Sequence, residues 1–261
     1  SMKLVAMLAP PVPLEARAQE LAFETSAALA ECRMRLSGEP PLPFARLPDA
    51  EAEALARTLR AKGWAIGTCP LPPPGDESRL VARAVELAPG EVRISPRSGE
   101  PRVLRDADVA VVLRGLRSST DTSSRTVKER KLAPGSALLT GGLKLTRTTQ
   151  REVKSVTESV EHFLFLYDRA GGCAALYDSQ LAFASLGQEI QPTRLGNMQL
   201  ITASLRRRAP QARFDDRLLR LGKRPLPFIG SGERGAGAGQ THADTASSVD
   251  AIAWLLFQHL R

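Results

Sequence analysis

"PLPFARLPDAEAEALARTLRAKGWAIGTCPL", Pro41 to Leu71, decides the fold of the front of this chain. It reads as strand, helix, strand. PLPFARLP is a short apolar piece edged by proline, which lacks an N–H donor and belongs at strand margins. Asp49 predicts a helix cap. Ala52, Leu55, Ala56 and Leu59 then recur on one helical face. Gly63 ends that helix, and WAIGTCPL is a closing strand.

Toward the N-terminus, KLVAMLA from Lys3 predicts a first strand, ended by the prolines of PPVP. Leu14, Ala18, Leu21 and Ala22 follow at helical spacing, then Leu29, Cys32, Arg33 and Leu36. A break near Thr25-Ser26 fits, since both are good N-caps. Gly38 stands where a helix closes. The predicted order is β-α-α-β-α-β.

That order, with ETSAALAECRMRL and PDAEAEALARTLRAKG before a closing strand, resembles the C-terminal domain of the bacterial ribosomal stalk protein. It is also similar to the related fold of the Clp-protease adaptor that binds N-degrons. The resemblance covers about the first 72 residues. It implies a small α/β platform whose surface near its first two helices meets a protein partner. Where the stalk domain carries lysines there, one position is Ala30 and another is Arg33. Arg33 is therefore the expected partner-binding residue.

Past Cys69, PLPPPGDES is stiff and proline-rich, which predicts a linker at 72–79 between a front domain, 2–71, and a rear domain, 80–261. The rear domain reads as β-rich. EVRIS is a strand, and Asp106 to Asp108 are a turn. Val109 to Leu116 is a β-rich run, and SRTVKERKL is a half-exposed strand. SALLTGGLKLTRT is apolar with a kink or turn at Gly141-Gly142. EHFLFLYD turns back at Arg169 to Gly172 into CAALYD, a hairpin. A helix over 193–209 puts Leu195, Met198, Ile201, Thr202 and Leu205 on one face. About seven strands before one helix resemble a pleckstrin-homology-like barrel, and a split sheet packed on that helix fits as well. A glycine-rich stretch, 230–246, predicts a flexible loop. The tail predicts an amphipathic helix over 248–260, with Val249, Ile252, Ala253, Leu256, Phe257 and Leu260 on one stripe, docked on the body. The expected class is α+β.

No apolar run reaches the roughly 18 to 20 residues that span a bilayer, and KLVAMLA is too short for a signal segment. A cytoplasmic protein is expected. Cys32, Cys69 and Cys173 have neither disulfide nor zinc spacing, and His162, His242 and His259 form no metal motif. GERGAGAGQT has Gln240 where a phosphate loop needs lysine. Asp215-Asp216 read as a turn and cap, and no nucleophile elbow occurs. These readings predict a non-enzymatic protein without cofactor or metal.

Charge is the strongest bias. The formal net charge is +8, yet the first 72 residues hold 8 basic and 8 acidic side chains. Arg114, Arg117, Arg125, Lys128, Arg130, Lys131, Lys144, Arg147, Arg151 and Lys154 face only Asp121, Glu129 and Glu152 in their stretch. Clustered cations favour an anionic surface: nucleic-acid backbone, acidic lipid or an acidic protein. No aromatic residue lies between Arg114 and Lys154, which disfavours stacking on single strands. The expectation is a two-domain adaptor. Its front domain holds a protein partner, and its rear domain docks on an anionic surface through these cations.

Overall fold

The computed structural model describes residues 1–132, 146–223, 225–229, 234–235 and 240–261, with side chains for all of these except 123–154 and 234–242. The protein is α+β, with a small N-terminal domain, a β-rich region and a C-terminal helix. It divides into two compact units. The body comprises Ser1–Ser118, Val160–Ser231 and Thr245–Arg261; the arm comprises Ser119–Ser159 and Gly232–Asp244.

The body begins with β1 (Met2–Met7), α1 (Leu14–Thr25), α2 (Leu29–Leu36), β2 (Leu42–Pro48), α3 (Asp49–Ala61) and β3 (Ile66–Leu71). The strands form an antiparallel sheet in the order β2-β1-β3. Val5 and Met7 pack toward the three helices with Leu21, Phe44, Ala56 and Leu59. Leu4 and Ala6 point the other way and are buried too. A central strand covered on both faces must be apolar throughout, which is why KLVAMLA shows no alternation.

Two local expectations change here. Thr25 closes α1 rather than capping α2: its hydroxyl donates to the Leu21 carbonyl at 2.7 Å, Ser26 is left-handed at φ 53°, and Ala28 takes the N-cap position. Pro48, not Asp49, is the N-cap of α3, so Asp49 sits in the first turn, where its charge still suits the helix dipole. Gly38 does follow α2 with φ 137°.

Residues 72–79 are not wholly extended, because Asp76–Ser78 form a 3-10 turn. The second sheet then uses β4 (Leu80–Ala88), β5 (Glu91–Pro96), β6 (Arg102–Arg105), β7 (Val109–Leu132), β8 (Thr146–Asp168) and β9 (Cys173–Tyr177). After these come α4 (Arg194–Arg208), β10 (Arg213–Asp215), α5 (Leu218–Leu221), β11 (Arg234–Gly235), β12 (Gln240–Asp244) and α6 (Ala246–Leu260). The order is β11-β12-β7-β8-β9-β4-β5-β6, with β10 beside the first part of β7.

In the body, β8 places Leu164 and Leu166 toward α4, and Phe163 and Phe165 toward α6. EHFLFLYD is thus another strand buried on both faces. Thr193 caps α4 by accepting from the Gly196 N–H at 3.0 Å. Leu195, expected inward, is 38% exposed, and Asn197 takes a buried place instead. Gly115 lets α5 close on β7: a Cβ there would lie 2.4 Å from Phe163 Cζ and 2.6 Å from Leu218 Cβ.

The C-terminal helix corrects the expectation of a single stripe, and it starts at Ala246, two residues early. Ala251 and Leu255 pack with Leu4, Ala6 and Cys69 of the first sheet. Val249, Ile252, Leu256 and Phe257 pack with the second. Trp254 Nε1 and Gln258 Nε2 both donate to the Thr68 carbonyl, at 3.1 and 2.7 Å. A helix that is apolar nearly all round is a buried helix, and α6 is the layer the two sheets of the body share.

Within the arm, β7 and β8 remain neighbours, and the Ser119 and Ser159 hydroxyls lie 2.6 Å apart. β12 pairs with β7 from Gln240↔Ser123 to Asp244↔Ser119. Those residues were expected to be loop; backbone pairing to β7 overrides their small-residue composition. The predicted apolar piece with Gly141-Gly142 lies outside the described residues as far as position 145.

Candidate functional site

One group of sheltered charges in the body collects where the 76–78 turn meets β4, β7, β8, β9 and α6. Arg79 has only 3% of its side chain exposed. Its Nη1 donates to Asp250 at 2.5 Å, its Nη2 donates to the Pro74 carbonyl at 3.0 Å, and the guanidinium stacks 4.2 Å above the Phe165 ring. Arg117, one residue of the sequence-predicted set, belongs to the same group. Its Nε donates to Glu161 at 2.5 Å, and its guanidinium lies 4.1 Å from the Tyr177 ring centre. Asp76 stands between these arginines, 3.5 Å from each, and accepts the Tyr177 hydroxyl. Ser179 donates to the other oxygen of Glu161.

Burial pushes the Asp250 carboxyl up to about 6, against the pull of Arg79. Burial also raises the Tyr167 and Tyr177 hydroxyls. It lifts the Cys69 and Cys173 thiols to about 12. Nucleophilicity needs the thiolate, so both cysteines are packing groups. His162 Nδ1 lies 3.3 Å from Asp178, and burial lowers His259. Among the described residues, no three His, Cys, Asp or Glu side chains are grouped to hold a metal ion. Nor is any helix there long and apolar enough to cross a membrane.

Beside this network opens a cleft of about 580 Å³, lined by Asp76, Val81, Ala82, Arg83, Arg97, Ser179 and Gln180. Sequence reasoning missed this assembly. Residues 76, 117, 161, 177 and 250 come from five separate segments, and no spacing rule links them.

The predicted anion-binding residues divide. Arg114 is half-buried on β7. Arg117 is neutralised by Glu161 and Asp76, so it is a structural cation. Arg125, Lys128, Arg130 and Lys131 lie along β7, and Arg147, Arg151 and Lys154 along the neighbouring β8; their side chains are outside those described. Lys144 lies outside the described residues altogether. Arg33, expected to meet a protein partner, is exposed on α2 and donates through Nε to Glu15 at 2.8 Å. Phe23 on α1 and Met34 on α2 are 82% and 70% exposed.

No family model, curated protein or solved structure matches this chain.

Proposed function

We propose that the chain is an interaction protein that docks on duplex nucleic acid through its arm. The observation that carries this reading is the strand arrangement of the cations. Arg125, Lys128, Arg130 and Lys131 share one strand, and Arg147, Arg151 and Lys154 share its hydrogen-bonded neighbour. Among the described residues β12 pairs with β7 from Ser119 to Ser123, and Arg125, Lys128, Arg130 and Lys131 follow that paired part of β7. A two-stranded ribbon is a shape that the major groove admits. Lysine and arginine along it would displace condensed counterions from the phosphates. The absence of aromatic residues from 114 to 154 favours a duplex backbone over stacked single strands.

The test is fluorescence anisotropy with a labelled duplex of about 20 base pairs, across about 50 to 200 mM salt. Affinity should fall steeply as salt rises. Reversal of Arg125, Lys128, Arg130 and Lys131 to Glu should weaken binding about 100-fold at the low-salt end. Binding that is absent, or indifferent to salt and to the reversal, overturns the reading. Tighter binding to vesicles rich in acidic lipid than to the duplex would transfer the arm to a membrane surface.

A further inference from the structure

The residues lining the cleft beside the charged network belong to the body, and the charges in and behind that lining differ in how they are compensated. Arg79 and Arg117 are closed off by Asp250 and Glu161, each at 2.5 Å. Arg83 and Arg97 are exposed, and neither forms an ion pair among the described residues. Arg83 lies on β4, and Arg97 directly follows the end of the neighbouring strand β5. Ala82 pairs with Pro96, Ala84 pairs with Ser95, and Arg83 is the extra residue of the bulge between them. A bulge re-aims a side chain out of the strand alternation. The Arg83 carbonyl accepts from the Ala182 N–H at 2.8 Å, and its Nη1 donates to the Gln180 carbonyl at 2.7 Å. That leaves most of a fixed guanidinium fork without a partner.

Asp76 supplies the other sign. Its carboxylate takes the Tyr177 hydroxyl, and Arg79 and Arg117 both stand at 3.5 Å, where Arg79 makes only a long hydrogen bond. It keeps 38% of its side chain exposed and lines the cleft. A cavity of about 580 Å³ suits a small organic molecule.

We infer that this cleft binds a small zwitterion, its phosphate or carboxylate on Arg83 and Arg97 and its ammonium on Asp76. Planar guanidinium forks match either anion through paired N–H donors. The carboxylate distinguishes a molecule that also bears a cationic donor from a bare anion.

Isothermal titration of the full chain at low salt tests it, with O-phosphoethanolamine, inorganic phosphate and ethanolamine as probes. O-phosphoethanolamine should bind saturably and at least about ten-fold tighter than phosphate, since one well-placed charge-assisted contact contributes about that factor. Arg83→Gln with Arg97→Gln should remove binding of both anions. Asp76→Asn should reduce O-phosphoethanolamine to the affinity of phosphate. Reversal of the four arm cations should leave all three titrations unchanged, which keeps failure of this inference separate from failure of the arm reading. Both exposed arginines can be changed without touching the core, so that double variant decides the question even where Asp76→Asn loosens the fold. Absence of saturable binding overturns the inference. So does binding that survives the double variant or disappears in the arm variant.

Discussion

Arginine is distributed differently in the body and in the arm. In the body it is a joint between segments. Arg208 donates to Asp106 at 3.1 Å and to the carbonyls of Ala88 and Glu91, and Arg217 joins Asp215 at 2.7 Å and the Pro40 carbonyl at 3.0 Å. Arg79 holds the 76–78 turn against α6. In the arm, the cations instead follow one another along two neighbouring strands. A count of basic residues cannot tell these uses apart. What marks the body arginines is that a carboxylate or carbonyl from a distant segment arrives beside the guanidinium.

The sharpest break in that comparison is Arg79→Ala. It strands Asp250 in a buried site and loses the stacking on Phe165, so it should cost about 3 to 5 kcal/mol in urea unfolding. Arg79→Met combined with Asp250→Leu should recover most of that loss, because it removes both charges together. A double variant no more stable than Arg79→Ala would mean that the pair holds the fold in a way that packing cannot replace.

Leu255→Ala comes next, at about 2 to 5 kcal/mol for a fully buried leucine. Leu255 packs on the first sheet and Leu256 on the second, one residue apart on α6. Either substitution should lower one cooperative transition, followed by tryptophan fluorescence and far-ultraviolet dichroism together. Two separated transitions in Leu255→Ala would show that the first sheet folds as an independent domain.

How much of this was legible beforehand follows the range of the contacts. The β-α-α-β-α-β front was readable because breaks and apolar spacing are local, although the caps of its second and third helices fell on Ala28 and Pro48 instead of the residues expected. KLVAMLA and EHFLFLYD were readable as strands, but the sequence could not say that each is covered on both faces. The stripe assigned to the last helix was half of the answer, since it left out Ala251 and Leu255, which pack on the first sheet. The charged cleft was illegible. Asp76, Arg117, Glu161, Tyr177 and Asp250 meet only through tertiary packing, and Arg117 looked like one more cation in a basic run.

A smaller effect comes from pH. The folded carboxyl of Asp250 lies at about 6, above its ordinary value of 3.8, because burial disfavours its ionised form. The folded state therefore binds this proton more tightly than the unfolded chain does. Its contribution is complete below about 4 and is lost as pH rises through about 6. Asp76, Arg79 and Arg117 face it with opposing signs and moderate the slope. Asp250→Asn should flatten the stability profile between about pH 4 and 6 relative to the parent chain. A parent profile already flat across that window would place the Asp250 carboxyl at its ordinary value.

The mildest substitution sharpens the same contrast from the other end. Arg33 also pairs with a carboxylate, that of Glu15, but both side chains are about half exposed. Water already solvates each ion there, and salt screens what attraction remains. Arg33→Ala should leave the urea midpoint of the chain unchanged within error, at low salt and at about 1 M salt alike. A measurable loss that vanishes at high salt would show the Arg33–Glu15 pair bracing α1 against α2. A loss that persists would assign the effect to the aliphatic stem of the side chain rather than to its charge. Arg79 and Arg33 carry the same guanidinium beside the same kind of partner, so the difference between the two variants measures what burial adds together with Arg79's stacking on Phe165 and its bond to the Pro74 carbonyl.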